Sequence, residues 1–244
     1  VTVSAKAFQQ WLDGVAGTTS RAAVCRAAGI KRSTLAQQLV RGRVSVATVA
    51  AVSRSLHRPV VESLSAFEKF EDLSIGLREP SEAELLSQIS DTDLLTEILN
   101  RSKAADTGAK TALLELSPVP HRTSVRTWLD AVGPADLRQQ LAREVGIAPQ
   151  NLSAQISANR LTAELAISSA RIAGVGLANG LVATGFLAPD EAGWLPGARS
   201  ITLRQTPDST LVSLAAERLD SLGRTLKRIE ADTAAAQQLW ENLG

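Results

Sequence analysis

Apolar residues recur at three- and four-residue spacing along most of the chain, broken by short stretches carrying Gly, Pro or Ser. This is the period of amphipathic helices. Over 5–15, Phe8, Trp11, Leu12 and Val15 share one face. Ser20 suits the N-cap of a second helix, with Val24 and Cys25 turned inward and Gly29 ending it in a left-handed conformation. Ile30 returns to the core, and a third helix over 32–40 buries Leu35 and Leu39 before Arg41-Gly42 stops it. A fourth helix is expected over 44–56, capped by Ser45 and burying Val46, Val49, Val52 and Leu56. After Pro59 a fifth runs over 60–70. Together these make one complete small domain.

A Leu-rich stretch over 74–101 then predicts one or two amphipathic helices. Ser81 and Glu84 form a capping box, and Asp91 caps a second helix after a break at Ser90. Residues 102–120 are small and polar and read as a linker, with a short helix at 111–116. Beyond them the first domain returns at an offset of 117. Trp11-Leu12-Asp13 matches Trp128-Leu129-Asp130, and Arg21, Arg26, Gly29, Ile30, Leu35, Gln38, Arg43, Arg54 and Leu64 meet Arg138, Arg143, Gly146, Ile147, Leu152, Gln155, Arg160, Arg171 and Leu181. Ser74-Ile75 and Leu77-Arg78 are answered by Ser200-Ile201 and Leu203-Arg204. The expectation is an all-α chain: two tandem helix-turn-helix domains (1–73 and 121–193), each followed by an amphipathic tail (74–120 and 194–244). Over 210–243 an a/d seam runs through Leu219, Leu222, Leu226, Ile229, Thr233, Ala236, Trp240 and Leu243. It would either pack back on its own domain or form a homodimer with a second copy.

Charge sharpens this picture. The net charge of +1 conceals nine Lys and Arg against Asp13 alone in residues 1–60, and ten acids against Lys69 and Arg78 in 61–100. A basic block on a helix-turn-helix is the electrostatic footprint of a nucleic-acid binder. The outward residues of the third helix and its end, Lys31, Arg32, Ser33, Thr34, Gln37, Gln38, Arg41 and Arg43, suit phosphates and base edges of double-stranded DNA in a major groove. The second copy of this helix, over 148–159, offers Gln150, Asn151, Gln155 and Asn159, followed by Arg160. Gln and Asn pair with adenine where Arg favours guanine. Two unlike half-sites are therefore expected rather than a palindrome.

Other chemistry finds little support in the residues. One Cys and two distant His cannot build a zinc site or a nucleophile–base pair. No phosphate-binding glycine loop and no nucleophile elbow occurs. Neither enzymatic activity nor a cofactor is expected. His57 reads as a surface or phosphate-contact residue and His121 as part of the linker. With no apolar run of membrane-spanning length and no leader pattern, a cytoplasmic, nucleoid-associated protein is expected.

The phrases WLD…AAGIKRSTLAQQL, GLVATGFLAPDE (180–191) and SDTDLLTEILNR resemble helix-turn-helix proteins of actinobacteria and their phages, including mycobacteriophage immunity repressors of the broad Cro/C1 class. The resemblance covers most of the chain, once per half, whereas those proteins usually carry one such unit. It implies a transcriptional regulator that keeps a prophage silent, with DNA contacts at Lys31, Arg32, Thr34, Gln37 and Arg41. The alternative is an assembly protein, in the manner of a phage terminase small subunit, with a helix-turn-helix and an oligomerisation helix.

Overall fold

The computed structural model describes residues 1–108 and 114–243, the side chains of 236 and 239–243 excepted. Among the described residues the chain is all-α apart from one two-stranded ribbon. The first half runs β1 (Thr2–Ser4), α1 (Ala5–Ala16), α2 (Arg21–Ala27), α3 (Arg32–Val40), β2 (Arg43–Ser45), α4 (Val46–Ser55) and α5 (Val60–Ser65). A 3-10 turn at Glu68–Phe70, α6 (Glu82–Ser87) and α7 (Asp91–Thr107) follow. The second half comprises α8 (Ser124–Val132), α9 (Leu137–Val145), α10 (Pro149–Ser157), α11 (Ala163–Ala173) and α12 (Leu177–Ala183). A second 3-10 turn at Asp190–Ala192 leads to α13 (Ala198–Gln205) and α14 (Asp208–Leu243).

These elements form two compact units. The first is Val1–Gln88 with Pro118–Ala198, and the second is Ile89–Ser117 with Arg199–Gly244. Both five-helix sets therefore lie in one unit, a grouping different from a sequential division at 73, 120 and 193.

Within the first unit the two halves repeat each other atom for atom at several points. The left-handed positions recur at the offset of 117: Gly29 and Gly146, Gly42 and Asn159, His57 and Gly174 all have positive φ. The bonds that close α4 are Arg58 N–H to Ser53 O and His57 N–H to Arg54 O; those closing α11 are Val175 N–H to Ala170 O and Gly174 N–H to Arg171 O. The Arg21–Asp13 ion pair has its counterpart in Arg138–Asp130. Two of these positions hold left-handed backbone without glycine, which Asn tolerates better than most residues.

One continuous hydrophobic core runs through the first unit, in which Phe8, Leu12, Val24, Leu35, Val49, Val52 and Leu64 of the first half join Trp128, Leu129, Leu141, Leu152, Ala166 and Leu181 of the second. Cys25 is buried among them, as its spacing indicates. Trp128 is fully buried, and its Nε1 donates to Glu84 of α6. Glu84 also closes the expected capping box with Ser81, so α6 belongs to the core of this unit.

Several expectations shift. The fourth helix begins at Val46, because 43–45 pair antiparallel with 2–4 and Ser45 caps from the end of that ribbon. The fifth helix ends at Ser65, and a 3-10 turn takes over at Glu68. Ser90, not Asp91, caps α7, its hydroxyl accepting from Asp93 N–H. The helix expected at 111–116 falls partly outside the described residues, and 114–116 carry no regular structure. His121 lies in the core of the first unit instead of in a linker: it is buried, with Nε2 against Ser87 O. Ser200–Arg204 sit in a helix while 74–76 form turns and 77–78 carry no regular structure, so that part of the tail is not repeated in structure.

The second unit is tied by buried or half-buried arginines. Arg101 on α7 donates to Glu97, to the carbonyls of Leu203 and Thr206 at the end of α13, and to Asp208 at the start of α14. Arg218 on α14 donates to Ile89 O and Asp91. Leu211 and Ala215 on α14 are buried, whereas Leu219, Leu222, Leu226 and Ile229 are exposed. The lower seam positions Ala236, Trp240 and Leu243 lie outside the described side chains.

Candidate functional site

The basic face of the first half is built by the junction of α2 and α3. Gly29 N–H bonds Arg26 O and Ile30 N–H bonds Cys25 O, which satisfies the last carbonyls of α2 and reverses the chain in four residues. The Gly29 φ of 66° is the reason a glycine stands there. Ile30 and Leu35 then seat α3 on the core, with Leu39 beside them. The remaining side of α3 faces solvent: Lys31, Arg32, Ser33, Thr34, Ala36, Gln37 and Arg41 are all exposed, and Arg43 follows.

Lys31 occupies the N-cap with extended backbone and no side-chain cap, so the first amides of the nine-residue α3 stay open to an outside acceptor. Among the described residues no carboxylate pairs with Lys31, Arg32, Arg41 or Arg43. Arg21 and Arg54 of the same basic block are occupied, by Asp13 and Glu191. The Arg54 hydrogen bond holds the Glu191 carboxyl below the usual carboxylate range, against the opposing effect of burial and with help from Ala188 N–H.

Gln38 leaves the set of candidate DNA contacts. Its Oε1 accepts from Ser45 N–H at 2.9 Å and Thr48 Oγ1 at 3.1 Å, fastening α3 to the start of α4. Its counterpart Gln155 is also turned inward, but Leu165 stands where Thr48 does, and the Gln155 Oε1 is buried without a partner. Asn159 leaves it as well: its side chain accepts from Val125 N–H and donates to His121 O, both at 2.9 Å. The sequence position of these amides on a polar helix conceals that they point back at the protein.

On α10 the exposed positions are Pro149, Gln150, Asn151, Ser153, Ala154 and Ser157, with Arg160 beyond its end. Ala148 caps α10 with φ −61° and ψ 134°, close to φ −63° and ψ 131° at Lys31. The two nine-residue helices are thus the same backbone with different outward chemistry, one cationic and one neutral amide. One residue escaped the sequence reading: Val40, which resembles an inward apolar position, is 89% exposed at the end of α3. The signal was its place one residue past Leu39, about 100° round the helix.

Among the described residues, no group of three or more His, Cys, Asp and Glu is placed to hold a metal ion, and no helix is long and apolar enough to cross a membrane. Comparison with protein-family models, curated proteins and solved structures finds no match for this chain.

Proposed function

We propose that this protein is a sequence-specific double-stranded DNA-binding regulator of transcription, a repressor of the phage-immunity kind acting at the nucleoid. It reads two unlike half-sites, one with α3 and one with α10. The observation that carries this reading is the exposed face of α3, where Lys31, Arg32, Arg41 and Arg43 stand without carboxylate partners around Ser33, Thr34 and Gln37. Such a face matches phosphates by charge and base edges by hydrogen bonding, and Val40 suits the methyl group of thymine. The open amides at the start of α3 suit a phosphate oxygen. The second helix leans on Gln150 and Asn151, with Arg160 for the backbone.

Selection from random duplexes tests this. The intact protein enriches a bipartite, non-palindromic motif. Arg32→Ala/Gln37→Ala erases one half of that motif, and Gln150→Ala/Asn151→Ala erases the other. Replacing Lys31 by Ala weakens binding across sequences and lowers the salt slope by about one. A protein that enriches no motif overturns the proposal.

The exposed Leu219, Leu222, Leu226 and Ile229 favour a second reading alongside it, self-association through α14. A homodimer is compatible with a regulator. Rings or larger assemblies with weak sequence preference would instead mark an assembly or DNA-packaging protein, and light scattering separates the two.

A further inference from the structure

Two copies of a unit within one chain can be related by a head-to-tail step or by a two-fold rotation, and the contacts between them tell which. In a head-to-tail arrangement one patch of the first copy meets a different patch of the second, and the reverse contact does not occur. In a two-fold arrangement each contact has its mirror partner.

The halves of the first unit meet in both directions. Arg54, at the end of α4, donates through Nε and Nη2 to Glu191 at 2.7 Å each, and through Nη2 to Phe186 O at 2.8 Å. Glu191 belongs to the turn after the fifth helix of the other copy. Arg171 is the counterpart of Arg54 at the end of α11, and it donates to Asp72 at 2.6 Å. Asp72 in turn follows the fifth helix of the first copy. The surrounding backbone repeats this reciprocity: α5 packs against the turn at Asp190–Ala192, while Leu177 N–H, opening α12, bonds Gly76 O. Arg78 donates to Gly174 O at 3.0 Å, so the segment after α5 meets the end of α11 just as Phe186, after α12, meets the end of α4, with the donor on the opposite element.

We propose that the two halves of the first unit are related by an approximate two-fold axis, and that α3 and α10 therefore meet DNA in opposite senses. The inference rests on the DNA-reading proposal above and adds the arrangement of the site: two unlike half-sites, inverted with respect to each other. Two-fold symmetry in a DNA-binding protein is mirrored in the symmetry of its site. Here that symmetry is concealed, because the outward residues of the two helices differ and the half-sites share no sequence.

Making the helices alike exposes it. In one variant the outward residues of α10 become those of α3: Ala148→Lys, Pro149→Arg, Gln150→Ser, Asn151→Thr, Ser153→Ala, Ala154→Gln, Ser157→Val and Ala158→Arg. The buried Leu152 and Ile156 stay in place. A second variant makes the opposite transfer onto α3: Lys31→Ala, Arg32→Pro, Ser33→Gln, Thr34→Asn, Ala36→Ser, Gln37→Ala, Val40→Ser and Arg41→Ala. Both are checked for native helical content and then put through the same selection as the unaltered protein. The expected result is a perfect inverted repeat from each variant, built from a different half of the wild-type site in the two cases. A direct repeat, or a single half-site, from either folded variant overturns the two-fold arrangement while leaving DNA reading intact. If the unaltered protein itself enriches no motif, DNA reading fails, and the arrangement of half-sites falls with it.

Discussion

Replacing Gln38 by Ala separates a structural amide from Gln37, one residue away, to which the proposed function assigns base reading. In the folded protein the Gln38 Oε1 receives Ser45 N–H and Thr48 Oγ1. Truncation leaves the half-buried Ser45 amide without an acceptor, while the Thr48 hydroxyl keeps its bond to Ser45 Oγ. A lost neutral hydrogen bond costs about 1 kcal/mol net, and an amide left without a partner raises the total to about 1.5–3 kcal/mol. For a unit of this size that lowers Tm by roughly 4–10 °C. Gln37 is fully on the solvent side, so Gln37→Ala should move stability by no more than about 0.5 kcal/mol. Under the DNA-reading proposal it instead costs about 1–3 kcal/mol of binding to the cognate site. Gln155 supplies an internal control. Its Oε1 is buried and unpartnered, so Gln155→Met should leave stability unchanged or raise it by up to about 1 kcal/mol. Thermal melts followed by circular dichroism, with DNA affinity measured on the same samples, decide the matter. If Gln38→Ala melts with the wild type but binds DNA tenfold more weakly, the assignment of that side chain to the α3–α4 junction is wrong.

Three further outcomes follow from the geometry. Because Arg54 lowers the Glu191 carboxyl, that pair contributes fully above the ordinary carboxylate value of about 4.3, and the contribution is lost as pH falls through the lower folded value. Glu191→Gln should flatten this part of the acid limb in a pH series of urea melts and cost no more than about 1 kcal/mol at neutral pH, since Arg54 is half exposed. Arg101→Ala leaves the buried Glu97 carboxylate and the Leu203 and Thr206 carbonyls without their shared donor, so the second unit should lose about 3–5 kcal/mol, seen as an earlier urea transition. Under the self-association reading, Leu222→Asp/Leu226→Asp should convert a dimer to a monomer in sedimentation, with Tm lowered only by the association that is lost, since both side chains are exposed in the single chain; a dimer that persists rules out that stripe as the contact.

Much of this architecture is written in local signals. Gly29 and Gly146 mark the turns because only a left-handed residue lets a helix stop and reverse in so few positions, and Ser81 with Glu84 spells its capping box in four letters. The repeat is legible because apolar spacing survives substitution, as at Leu39 and Ile156. What escaped was decided at a distance. Three-residue strands such as 2–4 and 43–45 carry no measurable period, so the ribbon stayed hidden. Gln38 and Asn159 look like any polar residue on an exposed helix until their partners, Thr48 and His121, are known. Arg101 and Arg218 look like solvated charges, yet they bind backbone carbonyls of sequence-distant segments and so determine which stretches group together.

The reciprocal contacts of Arg54 and Arg171 bear on dosage. When such contacts join two separate chains, the fraction assembled falls as the protein is diluted, and the response to protein level is steep. Joined by one backbone, each half sees the other at an effective concentration set by the connecting residues and not by the copy number. The shared core and the reciprocal ion pairs then keep the halves together at any expression level. Under the DNA-reading proposal, occupancy of a target site should accordingly rise in simple proportion at low protein levels, with no threshold arising from pairing of the halves.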